Sequence, residues 1–542
     1  MIQVDQNATI GEAFRAAAHR YGDRPLIMMP ANPDRAYCRE GCSISYRKAL
    51  AEVDRLIECY RQAGYGVGHR VALDLENRPE HLLHKLALNA LGICCIPLNF
   101  EYRANELQYI VDHSRPDLII AAENRLPFVE AVASGHVEVC LETAVRSGLP
   151  RAVRQADPVL IDGTTAASIL YTSGTTGRPK GCVLSHGYEL ECGAWYLALG
   201  GLATFNEGAD RLYNPLPLYH VNASVFSFFC VMLAGNCQII GDRFHPQRWW
   251  NEIRACEATV VHYLGVIVPL LLGQPASDQD RAHQVRFGIG AGVEATLHQK
   301  FEERFGFPLI EVWGMTEMVG VFADNFPPRS VGTRAFGKAP AYGLEARIVD
   351  ADDQPVPDGE VGELTIRHSA ETPRRRFFSG YLGDPEATER AWRGGWFHTG
   401  DLVRRSPDGT MHFVDRDKNI IRRSGENIAA AEVEEMLQDH PLVKQATVIA
   451  VDDEVREEEV YACVVLKSGA GDVDTARSLF LHCMQHLSYY KAPAYIWFTD
   501  RIPVSGTQKI QKYLIFKDDV DPRKIDGVFD FRKLKRRNLD FN

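Results

Sequence analysis

The length and charge of the chain set the first limits on its function. It has 542 residues, too many for one ordinary hydrophobic core, so at least two domains are expected. Lysine plus arginine number 60 against 71 for aspartate plus glutamate, which gives a net charge of −11. That balance disfavours a nucleic-acid partner held by phosphate neutralisation. Small anionic substrates, met by local positive groups, fit the chain better.

Cysteine usage and the two termini indicate the compartment. The thirteen cysteines are an odd number without a Cys-x-x-Cys spacing, and Cys94 and Cys95 lie in an apolar run typical of a core. No basic region followed by an apolar one opens the chain, no apolar run approaches about 18 residues, and the ending LDFN matches no peroxisomal or prenylation motif. We expect a soluble protein of the reducing cytoplasm without a membrane partner. The basic stretch 532–537 is interpreted as a solvated helix face or terminus.

The N-terminal half alternates strand-like and helix-like patterns. The apolar runs VALDL and DLIIAA predict strands, and the periodicity of 45–63 and 80–91 predicts helices. The strand-then-helix order recurs around 238–240, 259–262 and 286–288. This alternation predicts an α/β fold with largely parallel sheets.

A strand followed by an anion-binding loop is predicted from residue 166 onward. The apolar run 166–170 leads into a loop that carries glycines and hydroxyls. These are Ser173, Gly174, Thr175, Thr176 and Gly177. Glycines permit close backbone approach, hydroxyls and amides donate to phosphate oxygens, and Lys180 adds a positive charge. The glycine spacing, and Pro179 before the lysine, exclude a Walker A loop.

The C-terminal part of the sequence has a different pattern of predicted strands and turns. From residue 343 the chain reads as short strands with Asp-Gly turns at 358 and 408, which predicts hairpins. After 418 a helix over 430–439 and the strand-like runs QATVIAVDD and EVYACVVLK predict a compact α+β unit.

Motifs in a fixed order connect these regions. They are YTSGTTGRPKGCVLSH, EVWGMTEM, WFHTGDL, FVDRDKNIIRRSGENIAAAEVE and PVSGTQKIQKYL. In type and order they resemble the motifs of the adenylate-forming superfamily, which includes acyl-CoA synthetases, luciferases and the adenylation domains of peptide synthetases. Longer segments, among them RWWNEIRACEATVVHYLGVIVPLLL, are most similar to the crotonobetaine/carnitine-CoA ligase branch.

The resemblance implies a particular architecture. A large N-terminal domain, 1–417, would contain two α/β subdomains and a β subdomain, together with the ATP and acyl sites. A hinge at Lys418 would lead to a small mobile α+β domain, 418–542. No carrier-protein serine motif follows residue 514, which favours a stand-alone enzyme.

The implied activity is an AMP-forming acid-thiol ligase that uses ATP, Mg²⁺ and CoA. A carboxylate would be adenylated with release of pyrophosphate, and a thiol would then displace AMP. Three alternatives stay open: an adenylating enzyme with a carrier-protein or amine acceptor, a luciferase-like oxidative enzyme, and a binding protein without catalysis. A homodimer is also left open.

The resemblance assigns most of the nucleotide site. The implied ATP- and AMP-binding residues are Thr172, Ser173, Gly174, Thr175, Thr176, Gly177, Lys180, Gly290, Ala291, Gly292, Glu311, Val312, Trp313, Gly314, Thr316, Asp401, Arg416 and Arg422. Within this set Trp313 would stack on adenine, where relatives usually carry tyrosine, and Asp401 would accept the ribose hydroxyls. Thr316 would bond the α-phosphate and Glu317 would ligate Mg²⁺.

The remaining implied roles concern catalysis, the thiol and the acid. Lys509 would be the lysine of the first half-reaction, although Gln508 stands where relatives have glycine, and Lys512 is the alternative. Ser424 and Gly425 would line the entry of CoA. The acyl pocket would be formed by His220, Asn222, Phe226 and Val319, with Gly290 and Val312. The acid would be small and polar, or of short to medium chain length, and its identity stays open.

Overall fold

The computed structural model describes residues 1–133, 135, 137–172, 179–265, 267–340, 343–416, 420–469, 471–503, 512, 515–516 and 520–537. The chain forms two compact units. The first comprises 1–100, 111–170 and 181–415, and the second comprises 101–110, 171–180 and 416–542.

Helices are distributed along the whole chain. The α-helices are α1 Ile10–Tyr21, α2 Tyr46–Gln62, α3 Pro79–Ala90, α4 Ala104–Ser114, α5 Leu126–Ala133, α6 His186–Ala198, α7 Phe228–Leu233, α8 Trp249–Ala255, α9 Ile267–Leu272, α10 Ala295–Phe305, α11 Pro385–Ala391, α12 Ala430–Gln438 and α13 Val473–His486. Short 3₁₀ segments occupy Glu142–Ser147, Gly201–Ala203, Arg393–Gly395 and Pro522–Lys524, and a π-helical segment occupies Asn222–Ser227.

Strands alternate with these helices as the sequence predicts. They are β1 Pro25–Met29, β2 Cys42–Ser45, β3 Arg70–Asp74, β4 Cys94–Pro97, β5 Leu118–Ala121, β6 Glu138–Leu141, β7 Ala166–Thr172, β8 Lys180–Ser185, β9 Arg211–Asn214, β10 Cys237–Ile240, β11 Val260–Leu264, β12 Phe287–Ala291, β13 Leu309–Trp313, β14 Phe322–Ala323, β15 Glu345–Val349, β16 Val361–Arg367, β17 Gly380–Tyr381, β18 Phe397–Arg405, β19 Met411–Arg416, β20 Ile420–Arg423, β21 Glu426–Ala429, β22 Val443–Asp453, β23 Glu457–Leu466, β24 Tyr495–Phe498 and β25 Val528–Asp530.

Three sheets account for most of the first unit. One has the order β17-β8-β7-β4-β3-β5-β6, another β14-β13-β12-β11-β9-β10-β1-β2, and a smaller one β15-β16-β18-β19. In the first of these sheets, β3 pairs parallel with β4 and β5, and β4 pairs parallel with β7. In the second, the neighbours in the series β1, β10, β9, β11, β12 and β13 are all parallel. In the third, β16 pairs antiparallel with β15 and β18. The predicted α/β class, with two parallel subdomains and a β subdomain, is confirmed.

Local signals explain where several of these helices begin. The Ser45 side chain accepts a hydrogen bond from the Lys48 N–H and caps α2, and Ser185 accepts from the Tyr188 N–H and caps α6. In α1, Thr9 and Glu12 form a reciprocal capping box. Each cap satisfies backbone donors that the first turn leaves without a partner.

A buried ion pair ties three elements of the first unit together. Lys85 of α3 lies 2.8 Å from one carboxylate oxygen of Glu189 of α6 and 3.0 Å from the other, and the two side chains are 1% and 0% exposed. The Lys85 ammonium also donates to the Ser168 hydroxyl on β7, the strand that precedes the predicted phosphate loop. Opposite charges so far from water must stay paired, so this contact fixes the spacing of α3, α6 and β7.

The second unit is an α+β layer around its own core. Strands β22 and β23 form a long antiparallel pair, β24 runs parallel to β23, and β25 adds antiparallel to β24. The β20–β21 hairpin joins at the Arg423–Glu457 register. Apolar residues of α12 and α13 share a buried cluster with these strands.

The interpretation of 532–537 as solvated is wrong for one residue. Arg532, Lys533 and Arg536 are exposed, but Lys535 is buried. Its ammonium lies 2.6 Å from the Glu459 carboxylate of β23. Lys535 therefore belongs to the core of the second unit, because a lysine buried beside a carboxylate is not part of a solvated face.

Candidate active site

Two residues of separate motifs meet in the first unit: Trp313, the last residue of β13, and Asp401, within β18. The indole N–H of Trp313 donates to Oδ2 of Asp401 at 2.8 Å, and the two residues are 6% and 2% exposed. A buried tryptophan N–H needs an acceptor, and a buried carboxylate needs donors. The indole thus fixes the orientation of the carboxylate to which the ribose was assigned.

Glu311 anchors the loop that follows β12. Its carboxylate accepts hydrogen bonds from the Gly292 and Val293 N–H groups, both at 3.2 Å, and from the Tyr263 hydroxyl at 2.7 Å. Burial raises the pKa of Glu311 to about 7, and the hydrogen bond from Tyr263 opposes that rise. The described contacts make Glu311 a support for the predicted adenine-edge loop, and direct contact with a nucleotide stays a prediction.

Packing explains the glycines of these two motifs. A Cβ on Gly290 would lie 2.2 Å from the Tyr263 carbonyl oxygen, and one on Gly314 would lie 2.7 Å from a Val321 methyl. Gly292 has a φ of +84°, which strains other residues. Ala291 ends β12, and Val312 is buried beside Trp313 in the main core. Close packing therefore requires glycine at Gly290 and Gly314 before any ligand is considered.

The predicted phosphate and metal residues are held by two tyrosines. The Tyr188 hydroxyl donates to the Thr316 carbonyl at 2.7 Å, and the Tyr381 hydroxyl donates to Oε1 of Glu317 at 3.0 Å. The Phe378 N–H donates to the Glu317 carbonyl at 2.9 Å. Glu317, only 6% exposed, is thus oriented from the backbone and from the side chain.

The donor set around Glu317 fits a substrate-bound Mg²⁺. Within the described residues no group of three or more His, Cys, Asp or Glu side chains could form a protein cage for a metal ion. A single carboxylate such as Glu317 is what Mg²⁺ takes from a protein when phosphate oxygens supply the other ligands.

Polar side chains surround Asn222 in the predicted acyl region. Asn222 donates to Nε2 of His262 at 2.6 Å and accepts from the Asn214 amide at 3.0 Å, and Asn214 also donates to the Ser227 hydroxyl at 3.0 Å. The Tyr196 hydroxyl lies 3.4 Å from the same His262 nitrogen. Burial lowers the pKa of His262 to about 3, so this imidazole is neutral.

The structure groups the other acyl candidates as well. Phe226 stacks beside Tyr196 with ring centroids 5.1 Å apart, and Phe226, Val312 and Val319 belong to one buried apolar cluster. His220 is half-buried, and its carbonyl accepts from Ser224. Sequence reasoning missed His262, because a lone histidine inside an apolar strand gives no signal apart from its polarity.

Several predicted residues lie at or beyond the edge of the described structure. Ser173 to Gly177, Lys418 and Lys509 lie outside the described residues, and their roles stay predictions. Thr172 ends β7, Lys180 begins β8, and Arg416 ends β19.

The predicted CoA-side turn is described within the second unit. Ser424 has a φ of +52° and Gly425 one of +87°. The Ser424 N–H donates to the Arg456 carbonyl at 2.9 Å, and the N–H of Arg422 donates to Glu458 at 2.6 Å. The turn is therefore held by its neighbours on β23 and by the segment before it.

We expect the stability of the first unit to report the unusual pKa of Glu311. Its folded pKa is about 7 against an ordinary 4.5, so the folded state binds this proton more tightly. The protonated Glu311 carboxyl therefore stabilises the folded state at low pH, and this contribution is lost as pH rises through about 7. Glu311→Gln does not titrate, so it lacks this pH dependence. From about pH 5 to about pH 8 the unfolding free energy of Glu311→Gln, relative to wild type, should rise by about 2–3 kcal/mol. Thermal unfolding across this range measures it.

Asp280→Asn is the matched control for this experiment. Burial raises the pKa of Asp280, but the Arg304 guanidinium at 2.7 Å and the Ser277 N–H outweigh it and hold the pKa below its usual range. Its carboxylate stays charged from pH 5 to 8, so Asp280→Asn should differ from wild type by a constant amount. A constant difference for Glu311→Gln as well would contradict the raised pKa.

Comparisons with known proteins find similar enzymes over most of the chain. The family model described as AMP-binding enzyme matches residues 14–382, and the AMP-binding enzyme C-terminal domain matches 432–509. A crotonobetaine/carnitine-CoA ligase of Citrobacter koseri is 30% identical over 490 residues, covering 86% of this chain and 92% of the relative. That of Salmonella paratyphi A is 29% identical over 522 residues, covering 91% and 96%.

Solved structures agree in fold. The o-succinylbenzoate CoA synthetase MenE from Bacillus subtilis, bound to a product analogue, has a TM-score of 0.79 at 22% identity, covering 93% of this chain and 98% of its own. The amide bond synthetase McbA from Marinactinospora thermotolerans has a TM-score of 0.76 at 23% identity, with the same coverage. ATP-bound MatB from Rhodopseudomonas palustris has a TM-score of 0.64 at 25% identity, again covering 93% and 98%. The family model that matches 14–382, more than half of the chain, and the C-terminal model that matches 432–509 show that the chain belongs to the AMP-binding enzyme family.

Proposed function

We propose that this protein is an AMP-forming acyl-CoA ligase for a small, polar carboxylic acid. The observation that carries the proposal is the joining of two motifs in one place, by the 2.8 Å hydrogen bond from Trp313 to Asp401. The family matches and the ligase relatives support the reaction class. The polar group around Asn222 supports the polarity of the acid.

The proposed chemistry begins with activation of the acid. An oxygen of the substrate carboxylate attacks the α-phosphorus of ATP, and pyrophosphate leaves. Asp401, oriented by Trp313, would accept the ribose hydroxyls, while the loop anchored by Glu311 would border the adenine. A lysine near the α-phosphate, which we assign to Lys509, would stabilise the charge that develops there.

Glu317 would hold Mg²⁺ in this step. When bound there, Mg²⁺ would supply positive charge against the phosphate oxygens. The Tyr381 hydroxyl, which donates to one carboxylate oxygen of Glu317, would limit rotation of the side chain that holds the ion.

The second half-reaction transfers the acyl group to a thiol. The thiol sulfur of CoA attacks the carbonyl carbon of the acyl-adenylate, and AMP leaves as the thioester forms. Ser424 and Gly425 would border the path of the thiol. We place the reaction in the reducing cytoplasm, since the thirteen cysteines, all within the described residues, are free thiols. No helix in the described ranges has the length and apolarity needed to cross a bilayer.

The acid would be recognised by neutral hydrogen-bonding groups. His262 is uncharged and Asn222 is an amide, so together they suit a hydroxyl, carbonyl or similar polar substituent better than a long alkyl chain. Phe226 and Val319 would pack against the carbon skeleton.

A panel of acids tests the proposal. The protein is incubated with ATP, Mg²⁺, CoA and one acid at a time, including crotonobetaine and other short polar acids, unsubstituted short-chain acids, aryl acids and fatty acids. We expect AMP, pyrophosphate and a CoA thioester with at least one short polar acid. Products of ADP and an acyl phosphate would overturn the mechanism. Adenylation without a thioester, relieved by an amine or a carrier protein, would favour the alternative acceptors.

A further inference from the structure

Three charged side chains meet in the interior of the second unit. One oxygen of the Glu459 carboxylate accepts from Nε of Arg423 at 2.6 Å, and the other accepts from Nζ of Lys535 at 2.6 Å. Their side chains are at most 5% exposed. Removing charges from water is costly, so such a group keeps its geometry only while every member is paired.

Backbone and ring contacts of the C-terminal segment fix the position of Lys535 in this group. Strand β25 pairs with β24, and the next residue, Phe531, stacks on Phe480 of α13 with ring centroids 5.0 Å apart. The Phe531 N–H donates to the Ala494 carbonyl at 2.7 Å, and the Lys535 N–H donates to the Phe531 carbonyl at 3.0 Å. The position of Lys535 is therefore set by the sheet and not by a free tail.

Arg423, at the other side of Glu459, is the last residue of β20. It directly precedes Ser424 and Gly425, whose positive φ angles form the turn assigned to the thiol path. A guanidinium fixed at the end of β20 restricts where that turn starts. The backbone register Arg423–Glu457 and the bond from the Ser424 N–H to the Arg456 carbonyl restrict it from β23 and the adjoining segment.

We propose that Lys535 is a positioning residue for thioester formation, which acts through Glu459 and Arg423 to hold the turn Ser424–Gly425. The inference rests on the proposed function, because it gives this turn its task in the second half-reaction. Without Lys535, the described partners of Glu459 would be the Arg423 guanidinium and the Val460 N–H, and the carboxylate could pull Arg423 toward a new position. A small displacement of a group that guides a reactant lowers the rate without removing the group itself.

Electrostatics add a second consequence. Burial, and after it the positive charge of Arg423, lowers the pKa of Lys535 to about 7, although Glu459 opposes both. Arg456 also faces this ammonium with its positive charge, and the thiol of Cys483 on α13 is near it. The positive charge of Lys535 is therefore lost as pH rises through about 7, and we expect its hold on the turn to weaken with it.

The test separates the two half-reactions in three proteins: wild type, Lys535→Met and Lys533→Met. Methionine nearly matches lysine in length but has no charge, and Lys533 is an exposed lysine of the same tail. Acid-dependent exchange of pyrophosphate into ATP reports the first half-reaction, and conversion of supplied acyl-adenylate with CoA reports the second. We expect Lys535→Met to slow only the second, by roughly tenfold or more, and Lys533→Met to slow neither.

Hydrogen exchange of the peptide 420–428 tests whether Lys535 holds the turn, and this test does not depend on which thiol accepts the acyl group. We expect faster exchange in Lys535→Met and Glu459→Gln than in wild type, and no change in Lys533→Met. Equal loss of both half-reactions, or unchanged exchange in 420–428, overturns the inference. If wild type forms the acyl-adenylate but no thioester, the proposed function fails, and the exchange result still decides whether Lys535 holds the turn.

Discussion

Lys509→Ala is expected to abolish formation of the acyl-adenylate, by at least about 100-fold, and still to convert supplied acyl-adenylate and CoA to thioester. The lysine charge would stabilise the α-phosphate only while pyrophosphate leaves, and it has no such task once the adenylate exists. Pyrophosphate exchange and thioester formation from supplied adenylate measure the two effects separately. A reversed pattern is expected for Lys418→Pro, since a stiff hinge would prevent the rearrangement between the two steps.

Lys512 is the matched control, because its ammonium is already paired with groups of the second unit. Its ammonium lies 2.6 Å from the carboxylate of Glu434 and 2.7 Å from the carbonyl of Val448. We therefore expect Lys512→Ala to lower the stability of the second unit without separating the half-reactions. If Lys512→Ala loses only adenylation while Lys509→Ala is near normal, Gln508 has shifted the register of the motif and our assignment fails.

Lys85→Ala is expected to destabilise the first unit by about 3–5 kcal/mol, the cost of leaving a buried carboxylate without its partner. Glu189 is 0% exposed, and the Ser168 hydroxyl cannot replace the ammonium. The double variant Lys85→Met/Glu189→Leu removes both charges at similar volume, so most of the lost stability should return. Denaturant unfolding of each protein measures the difference.

Arg47→Ala is the surface control for this experiment. Arg47 and Asp23 form an ion pair whose side chains are 69% and 82% exposed, and such pairs contribute little to stability. We expect Arg47→Ala to unfold like wild type. If Lys85→Ala also unfolds like wild type, or if the double variant is no more stable than Lys85→Ala, the buried pair does not organise the unit as we argue.

Local patterns were enough to predict most of the fold. The helix predicted over 45–63 is α2, Tyr46–Gln62, and the run VALDL, 71–75, falls in β3, Arg70–Asp74, except for its last residue. These elements can be predicted because their signals, which are the Ser45 cap, an apolar helix face and short apolar strands, are all local in sequence. The tail was different. Lys535 reads as one more charge in a basic stretch, and only the distant Glu459 makes its burial favourable.

The motif resemblance names the residues of the candidate site, but it does not give the contacts between them. Motif resemblance named Trp313 and Asp401 separately, and the hydrogen bond between them became visible only with β13 and β18 in place. It also named Glu311 as a nucleotide ligand, which stays a prediction, but it gave no sign that Glu311 anchors the Gly292 loop. His262 was missed, because its neutral state depends on burial that the sequence alone does not reveal.

Strand β25 has a consequence for solubility. The C-terminal family model ends at residue 509, and β25 lies beyond that limit. A chain cut at 509 would leave β24 with unpaired backbone N–H and C=O groups along the side that β25 now covers. Exposed strand edges of this kind recruit other strands, so the shortened protein would be prone to assemble with itself. The last strand thus protects the sheet from intermolecular pairing.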